Sequence, residues 1–396
     1  MSVAAIHHLG YLCVVARVQR GELASPTDHL GVVRVAAFAL GQDVPHGVKL
    51  AVFPQEVGAT QRCRFDVPDP HVPHGSGAII APMAASQPPD GPRRALVAGA
   101  TGFIGGRLTA ALATAGWKVR CLVRDLSRAG HLEQRGFEMH EGDVLREESL
   151  RGAGVGVDVA YYLVHSMGRG NDGAFAERER AAAEAFARMA RREGVQRVVY
   201  LGGLGDDPKS QHLRSRHATA ELLAEHGAPL TYFRAGMVVG PESESYRTLR
   251  YLVQRLPAMI APAWLKTPTQ PIAIDDVLEY LVRAPSVDAA AGREIQIGGP
   301  DVLSYGEMLD RMAEALGKRP RPTVLVPLLT PWLSSLWIGL VTPVDSAVAR
   351  PLIEGLSTPT VVTDRSGATL FDVQPISFGE ALRRAVSQDP ELSRAG

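Results

Sequence analysis

Residues 99–106 read GATGFIGG, and this stretch decides the fold. It follows a short apolar run, Arg94–Gly99, and precedes an Ala- and Leu-rich segment that is typical of a helix. Glycines at a strand-to-helix junction permit a tight turn and let the backbone approach a pyrophosphate, whose charge then lies against the N–H groups that open the helix. Because the glycines stand between a strand and a helix, they predict a dinucleotide-binding turn rather than simple packing.

Apolar runs of strand length alternate with helical patterns from this stretch onward. Such alternation is typical of βαβ units in a parallel sheet. The sequence therefore predicts an α/β fold with a doubly wound Rossmann parallel sheet in three αβα layers. The predicted strands are Arg94–Gly99, Lys118–Val123, Phe137–His140, Val157–Val164, Arg197–Gly202 and Leu230–Arg234, and the predicted helices are Phe103–Gly116, Gly173–Glu193 and Leu213–His226.

The chain changes character near residue 84, where AASQPPDGPRR groups Pro, Gly, Ser and Asp. We predict a linker over 84–93, an NAD(P)-binding domain over 94–240, and a smaller C-terminal substrate lobe over 241–396 that is interleaved with the last sheet strands. Residues 1–83 show neither a repeat nor a set of site residues. We interpret them as a poorly ordered extension or, because Met83 directly precedes the linker, as a misassigned start.

Composition and charge narrow the class of protein. The 42 basic and 42 acidic side chains give no net charge, which argues against nucleic-acid binding. The three cysteines, Cys13, Cys63 and Cys121, form no C-x-x-C pair, so we expect a reducing compartment and no metal site. The first residues lack the basic start and the cleavage site of a secretory signal, and a cytoplasmic location is expected.

The segment 323–344, TVLVPLLTPWLSSLWIGLVTPV, has no charged residue and approaches the length of a membrane span. Its three prolines argue against a straight spanning helix. A buried core or homodimer interface and a segment that contacts the membrane surface are both open interpretations. Trp332 and Trp337 fit a closed core, and they equally fit a lobe for an apolar or quinone-like substrate.

A basic amphipathic helix is predicted over Tyr246–Leu256, at the start of the C-terminal lobe. Its arginines, Arg247, Arg250 and Arg255, are spaced along this pattern. We interpret them as a solvated face rather than as phosphate contacts.

The second predicted strand ends in LVRDLSR, residues 122–128, where the adenosine ribose of a dinucleotide would lie. An NAD-selective site carries an acid there, whereas Arg124 and Arg128 suit the 2′-phosphate of NADP. The sequence therefore favours NADP (NADPH) over NAD, although Asp125 keeps NAD open and both arginines are compatible with a solvated loop. Asp143, followed by Val144, stands where the adenine amino group would lie or where a helix cap would form.

These motifs together resemble one protein family. GATGFIGG is followed in order by LVRD, GDV, YYLVHSMG, RVVYLGGLG, FRAGMVVGP, PIAIDDV and EIQIGGPDVLSYGEM. The series resembles the extended and atypical short-chain dehydrogenase/reductases (SDRs), in particular the NmrA-like and complex I accessory-subunit type, and it covers Arg94–Leu382. The resemblance implies NAD(P) binding and a small-molecule substrate. The implied cofactor-binding residues are Gly99, Thr101, Gly102, Phe103, Ile104, Gly105, Arg124, Asp143, Val144, Val164, Gly202, Met237 and Val238.

The chain departs from the catalytic pattern of that family. Catalytically typical members carry a serine near the end of the fifth strand and a Tyr-x-x-x-Lys pair on the next helix. Here residues 201–205 read LGGLG without a serine, and His212 and Arg216 stand at the Tyr and Lys positions. These two residues share one helix face, so the imidazole could donate a proton while the guanidinium holds ribose hydroxyls or a phosphate. His165 and Ser166 are further candidates beside the nicotinamide ribose; alternatively, His165 only bonds loop backbone.

Two classes of function stay open. The first is an NADPH-dependent oxidoreductase that reduces a carbonyl or an activated double bond, with a proton from His212, His165 or water. The second is a non-catalytic NADP(H)-binding redox sensor or an assembly or scaffold protein. Retention of the histidines, of Ser166 and of an apolar lobe favours the enzyme, whereas loss of the Ser-Tyr-Lys set favours the binding protein.

Overall fold

The computed structural model describes residues 93–164, 174–205, 211–256, 259–261, 263–325 and 358–393, and an antiparallel pair of two-residue strands, Cys13–Val14 and Ala37–Phe38. The chain divides into two units, Met1–Asp90 and Gly91–Gly396, and the second contains all the described residues except that strand pair. Apart from that strand pair, the predicted extension over 1–83 and most of the predicted linker lie outside the described residues. The domain boundaries stay predictions.

The second unit alternates strands and helices along its first two thirds. Its strands are β1 (Arg94–Ala98), β2 (Lys118–Val123), β3 (Glu138–Glu141), β4 (Val159–Tyr162), β5 (Arg197–Gly203), β6 (Leu230–Ala235), β7 (Val238–Val239), β8 (Met259–Ala261), β9 (Pro268–Thr269), β10 (Ile272–Ala273), β11 (Arg293–Ile297), β12 (Leu303–Ser304) and β13 (Thr323–Leu325). Its α-helices are α1 (Phe103–Thr114), α2 (Gly130–Glu133), α3 (Ala174–Arg192), α4 (Gln211–His226), α5 (Glu244–Arg255), α6 (Ile274–Arg283), α7 (Tyr305–Ala315), α8 (Phe378–Ser387) and α9 (Pro390–Ser393).

Seven of the described strands form one parallel sheet in the order β3-β2-β1-β4-β5-β6-β11. The chain winds outward from the β1–β4 junction in both directions, and in such sheets ligands bind in the crevice at the carboxyl ends of the strands beside this junction. Helices α1 and α6 cover one face, and α3 and α4 cover the other. The predicted doubly wound Rossmann-like fold in αβα layers is confirmed.

The central strand shows why the apolar run forms a buried parallel strand. In β1, Ala95 and Val97 belong to the core under α1, whereas Leu96 and Ala98 belong to the core under α3 and α4. All four side chains are fully buried, as expected for a strand covered by helices on both faces.

Most observed boundaries lie within two residues of the predicted ones. Helix α1 ends at Thr114 rather than at Gly116, because Gly116 takes a left-handed φ of 86° and closes the helix by donating its N–H to Ala113 O at 3.0 Å. Strand β4 is shorter than predicted and ends at Tyr162 rather than at Val164.

The C-terminal lobe has its own core, built mainly by α5, α7 and α8. The interpretation of the basic helix as a solvated face is wrong at Arg250, whose side chain is 1% exposed. Its Nη1 lies 2.8 Å from Asp389 Oδ2, which also accepts a 2.9 Å hydrogen bond from the Tyr246 hydroxyl. Arg250 also pairs with Glu391. The helix pattern could not show this, because both acids come from the far C-terminal end of the chain.

Among the described residues, no helix combines the length and the apolar character that crossing a membrane requires. The uncharged segment 323–344 lies outside the described residues except for its first three, which form β13 and pair in parallel with β8. Its two interpretations, and the roles of Trp332 and Trp337, stay predictions.

Asp276 lies near the start of α6 and is 4% exposed. Its carboxylate accepts the Ile376 N–H at 3.0 Å, but loss of hydration outweighs this bond and raises the pKa of Asp276 to about 6. Because this pKa lies above that of the unfolded chain, the folded protein binds the proton more tightly. The resulting stabilisation is complete below a pH of about 4 and is lost as the pH rises through about 6.

Replacing Asp276 by Asn should remove this pH dependence. We expect the free energy of unfolding of the Asp276→Asn variant, relative to the unmodified protein, to increase by up to about 3 kcal/mol between pH 4 and pH 7. Urea titrations at several pH values measure this difference. Asp275→Asn is the comparison: its exposed carboxylate raises the pKa of Asp276 by less than burial does, so we expect this substitution to remove only a small part of the pH dependence. A difference for Asp276→Asn that does not change with pH would contradict the assignment.

Candidate functional site

The glycine turn after β1 has no room for side chains at two positions. Gly99 has a φ of 90°, and a Cβ there would lie 2.6 Å from Leu163 O, at the end of β4. A Cβ on Gly105 would lie 2.1 Å from Gly99 O, which already accepts the Gly102 N–H at 2.9 Å. The turn is therefore closed by contacts between backbones, and α1 starts directly beside the β1–β4 junction.

The start of α1 offers N–H groups to an anion. Its N-cap is Gly102, which has no side chain to cap the first turn, and that turn contains no acidic residue. Thr101 and Gly102 are exposed, whereas Phe103 and Ile104 are partly buried. The positive end of the helix dipole and unpaired N–H groups at such a position suit a pyrophosphate, so the predicted dinucleotide fits this turn.

The end of β2 presents one acid and two arginines. Asp125 accepts hydrogen bonds from Ser127 N at 2.9 Å and from Ser127 Oγ at 2.6 Å. These bonds, with a smaller effect from the charge of Arg128, hold the pKa of Asp125 below its ordinary value. Arg124 is exposed and makes no hydrogen bond or ion pair with the described residues. The acid is therefore engaged in its own turn, while Arg124 is available to a ligand.

The loop after β3 brings Asp143 and Val144 to the same edge of the sheet. Val144 is 7% exposed and packs in the core. Asp143 is partly buried, and its Oδ1 accepts the Leu145 N–H at 3.0 Å. The carboxylate therefore bonds within its own turn rather than capping an α-helix, and the predicted adenine contact stays a prediction.

The carboxyl ends of β4 and β5 lie side by side. Val164 is partly buried against the core under α3 and α4. His165 and Ser166, the predicted residues that follow it, lie outside the described residues. At the end of β5, a Cβ on Gly202 would lie 2.7 Å from the Tyr232 ring of β6, so this ring fills the space of any side chain at Gly202.

Helix α4 carries the predicted His–Arg pair across the end of β5. His212 falls in its first turn, but its side chain lies outside the described residues. Arg216 is partly exposed, and its Nη1 donates to Leu201 O at 3.3 Å. The structure therefore places Arg216 beside the carboxyl end of β5, and its predicted contact with a ribose or a phosphate stays a prediction.

The segment after β6 closes the site from the opposite side. Met237 and Val238 are partly buried, and Met237 O accepts the Ile272 N–H at 2.9 Å, which joins β7 to β10. A Cβ on Gly240 would lie 3.0 Å from the ring of Phe103 in the first turn of α1. This segment therefore faces the glycine turn and comes to the same crevice.

Two residues at this edge were missed by the sequence analysis. The Tyr232 hydroxyl lies 3.4 Å from His217 Nδ1, and His217 Nε2 lies 3.2 Å from Gly205 O. The alternation of β6 does place Tyr232 on the face covered by α4. However, its contact with Gly202 depends on the pairing of Tyr200 with Tyr232 across two strands, which no local pattern reveals.

Comparison with known proteins places this geometry among dinucleotide-binding folds. The NADPH-dependent quinone oxidoreductase QOR2 of Escherichia coli, solved with NADPH, has a TM-score of 0.59 and 17% identity, over 73% of this chain and 98% of that one. Other solved structures of this fold hold NADP(H) or NAD+. At this level of identity the likeness shows the fold alone.

Curated relatives extend the comparison at the level of sequence. The photosystem II assembly factor Ycf39 of Cyanophora paradoxa is 31% identical over 141 residues, which are 35% of this chain and 44% of that protein. The mitochondrial NADH dehydrogenase [ubiquinone] 1 alpha subcomplex subunit 9 of Arabidopsis thaliana is 25% identical over 236 residues, 57% of this chain and 59% of that protein. The chain thus spans about half the length of these two relatives. The model of the NmrA-like family matches residues 93–319, more than half of the sequence. The chain therefore belongs to the NmrA-like family.

Proposed function

We propose that this chain is an NADPH-dependent oxidoreductase that reduces a carbonyl group or an activated double bond. The observation that carries the proposal is the glycine turn. Gly99 and Gly105 leave no room for a Cβ, and the first turn of α1 behind them has neither a side-chain cap nor an acid. Such a turn suits the pyrophosphate of a dinucleotide at the edge where the sheet reverses its order.

The end of β2 favours NADPH over NADH. Asp125 is engaged with Ser127, so it is not poised to accept hydrogen bonds from both ribose hydroxyls. The guanidinium of Arg124 is exposed and suits a 2′-phosphate, which accepts charge-assisted hydrogen bonds. The solved structure of the quinone oxidoreductase QOR2 with NADPH is in line with this preference.

The chain's own residues orient the reaction. When bound, NADPH supplies a hydride to the substrate. Arg216 at the end of β5 would hold ribose hydroxyls, while Met237 and Val238 would cover the reactive end and exclude water. Because an arginine does not release its proton, we propose His212, His165 or water as the proton source for the reduced group. The proposed substrate is a small apolar or quinone-like molecule.

A second candidate function is a non-catalytic NADP(H)-binding protein, either a redox sensor or an assembly factor. It is favoured by the Tyr232 ring, which fills the space of a serine at Gly202. One of the relatives is named as an assembly factor and another as a subunit of NADH dehydrogenase, which also supports this candidate.

Turnover distinguishes the two candidates. The purified protein is loaded with NADPH, and oxidation of the nicotinamide is followed by absorbance against a panel of quinones, ketones and enones. We expect reduction of at least one panel member. Tight binding of NADPH without any turnover would exclude the enzyme for these substrate classes and support the binding protein.

Removal of the Arg124 guanidinium should weaken NADPH binding selectively. For Arg124→Ala we expect the dissociation constant of NADPH to rise about 10- to 50-fold, because the 2′-phosphate loses its charge-assisted hydrogen bonds. Each factor of ten corresponds to about 1.4 kcal/mol. That of NADH should change less than about twofold, because NADH lacks the 2′-phosphate. Calorimetric titrations measure both constants.

Lys118→Ala is the matched control for Arg124→Ala. It removes an exposed positive charge from the opposite, amino end of β2, and we expect NADPH affinity to stay the same within about twofold. Equal losses of NADPH and NADH affinity in Arg124→Ala would show that Arg124 does not read the 2′-phosphate.

A further inference from the structure

Gly202 stands at the end of β5, where catalytically typical SDRs carry a serine. A Cβ on Gly202 would lie 2.7 Å from Cε2 and 2.8 Å from the hydroxyl oxygen of Tyr232. The phenol of the neighbouring strand therefore occupies the space into which a serine side chain would extend. Gly202 and Tyr232 therefore depend on each other sterically, since any larger residue at 202 would have to displace the ring.

The ring of Tyr232 is held in one orientation. It stacks on Tyr200 with centroids 5.3 Å apart and an angle of 19° between the planes. The His217 ring also meets it edge-on, with centroids 6.4 Å apart and an angle of 84° between the planes. Tyr232 is 5% exposed, so these contacts leave its ring little freedom and fix its hydroxyl beside Gly202.

The contacts of the two His217 ring nitrogens show that the Tyr232 hydroxyl is a hydrogen-bond donor. A carbonyl oxygen only accepts, so the 3.2 Å contact with Gly205 O requires a hydrogen on His217 Nε2. In a neutral imidazole, Nδ1 then accepts from the Tyr232 hydroxyl. At 3.4 Å this bond is long and weak, so a better acceptor can take over the proton of the phenol.

The phenol stays protonated at neutral pH. Burial raises the pKa of Tyr232, and the charges of Arg234 and Arg216 only partly offset this effect. A neutral hydroxyl is a hydrogen-bond donor, whereas a phenolate is not. Arg216 and Gly203 are both partly exposed, so the end of β5 beside this hydroxyl reaches the surface of the crevice.

We propose that Tyr232 is a catalytic residue that donates its hydroxyl hydrogen bond to the substrate oxygen, in the place of a strand-end serine. This inference rests on the proposed reductase function. As hydride adds to the carbonyl carbon, the electron pair of the C=O π bond moves to the oxygen, which gains negative charge. The ring of Tyr232 is already held beside Gly202, so only the O–H bond has to turn from His217 Nδ1 to that oxygen, and the charge is stabilised with little reorganisation. His217 is a positioning residue that orients the phenol.

The first test removes the hydroxyl alone. For Tyr232→Phe we expect kcat/KM with menadione or another panel member that is reduced to fall about 100-fold, as for loss of one preorganised donor. NADPH affinity should stay within about twofold. Tyr200→Phe is the matched control, because it removes the hydroxyl of the stacked neighbour, which bonds Thr219 instead. We expect its turnover to stay within about threefold.

The second test does not depend on turnover. Calorimetry of the NADP+-bound protein with the same carbonyl compound measures binding without reduction. We expect Tyr232→Phe to raise the dissociation constant about fivefold, which corresponds to the net free energy of one neutral hydrogen bond. Tyr200→Phe should leave it unchanged.

The third test exchanges the two groups. Tyr232→Ala should lose turnover. The double variant with Gly202→Ser should turn over at least about tenfold faster than Tyr232→Ala alone, because the serine then has room and supplies a hydroxyl at the same place. If the Tyr232→Phe variant turns over as fast as the unmodified protein, this inference is overturned and the proposed function stays intact. An unmodified protein that binds NADPH but reduces no panel member would overturn the proposed function and this inference with it.

Discussion

Replacing Gly105 by Ala is expected to abolish dinucleotide binding. The added Cβ would lie 2.1 Å from Gly99 O and 2.7 Å from Gly99 C, and both atoms are backbone in the turn itself. Neither atom can move aside without opening the turn or shifting α1 away from β1. We expect the dissociation constant of NADPH, measured by calorimetry, to rise at least about 100-fold, equivalent to about 2.7 kcal/mol.

Gly106→Ala is the matched control for this prediction. It adds the same methyl group one residue later in the same helix, where the Cβ would lie 3.3 Å from Ala100 O. A shift of a few tenths of an ångström accommodates that contact, and alanine favours the helix over glycine by about 1 kcal/mol. We expect NADPH affinity within about threefold of the unmodified protein. Equal effects of the two substitutions would show that the close approach of Gly105 to the turn does not shape the site.

Truncation of Asp389 is expected to cause the largest loss of stability. Arg250 is 1% exposed, and Asp389, itself 3% exposed, is the buried partner that neutralises it. In Asp389→Ala the guanidinium keeps Glu391 as its one ion-pair partner among the described residues, and the Tyr246 hydroxyl loses its acceptor. Breaking a buried pair from one side costs about 3–5 kcal/mol, because a charge stays buried without its partner. The free energy of unfolding in urea measures this loss.

Glu391→Ala tests whether burial is the reason. Glu391 pairs with the same Arg250, but its side chain is 46% exposed, so water replaces it and we expect a loss of about 1 kcal/mol. If both substitutions cost the same, the effect would come from the loss of any acid near Arg250 and not from the buried pair. Dinucleotide binding should survive both substitutions under native conditions, because the pair lies in the core of the C-terminal lobe.

The fold could be predicted from the sequence because its signals are local. Residues 95–98 form a continuous apolar run, and the structure buries them on both faces of the sheet. The spacing of Gly99, Gly102 and Gly105 depends only on one turn and one helix. The sequence alone is therefore enough to predict the strand–turn–helix junction that the structure shows. The sequence also places Arg124 and Asp125 directly after β2, because their position depends only on where that strand ends; their contact with a dinucleotide stays a prediction.

The remaining features depend on contacts between distant parts of the chain. Tyr232 meets Gly202 only because β5 and β6 pair in one particular register. The helical pattern indicates a surface position for Arg250, because its partners, Asp389 just before α9 and Glu391 within it, lie at the C-terminal end. A one-dimensional pattern gives the face of a helix or strand but not the element that will cover it.

The most direct test of the proposed dinucleotide site is a calorimetric titration of the unmodified protein with NADPH and, separately, with NADH. The turn formed by Gly99 and Gly105, together with the exposed Arg124, predicts one site per chain that binds NADPH at least about tenfold more tightly than NADH. Absence of binding for both dinucleotides would contradict the central claim that this turn holds a dinucleotide. Tighter binding of NADH would keep the turn as a dinucleotide site but contradict the role assigned to Arg124.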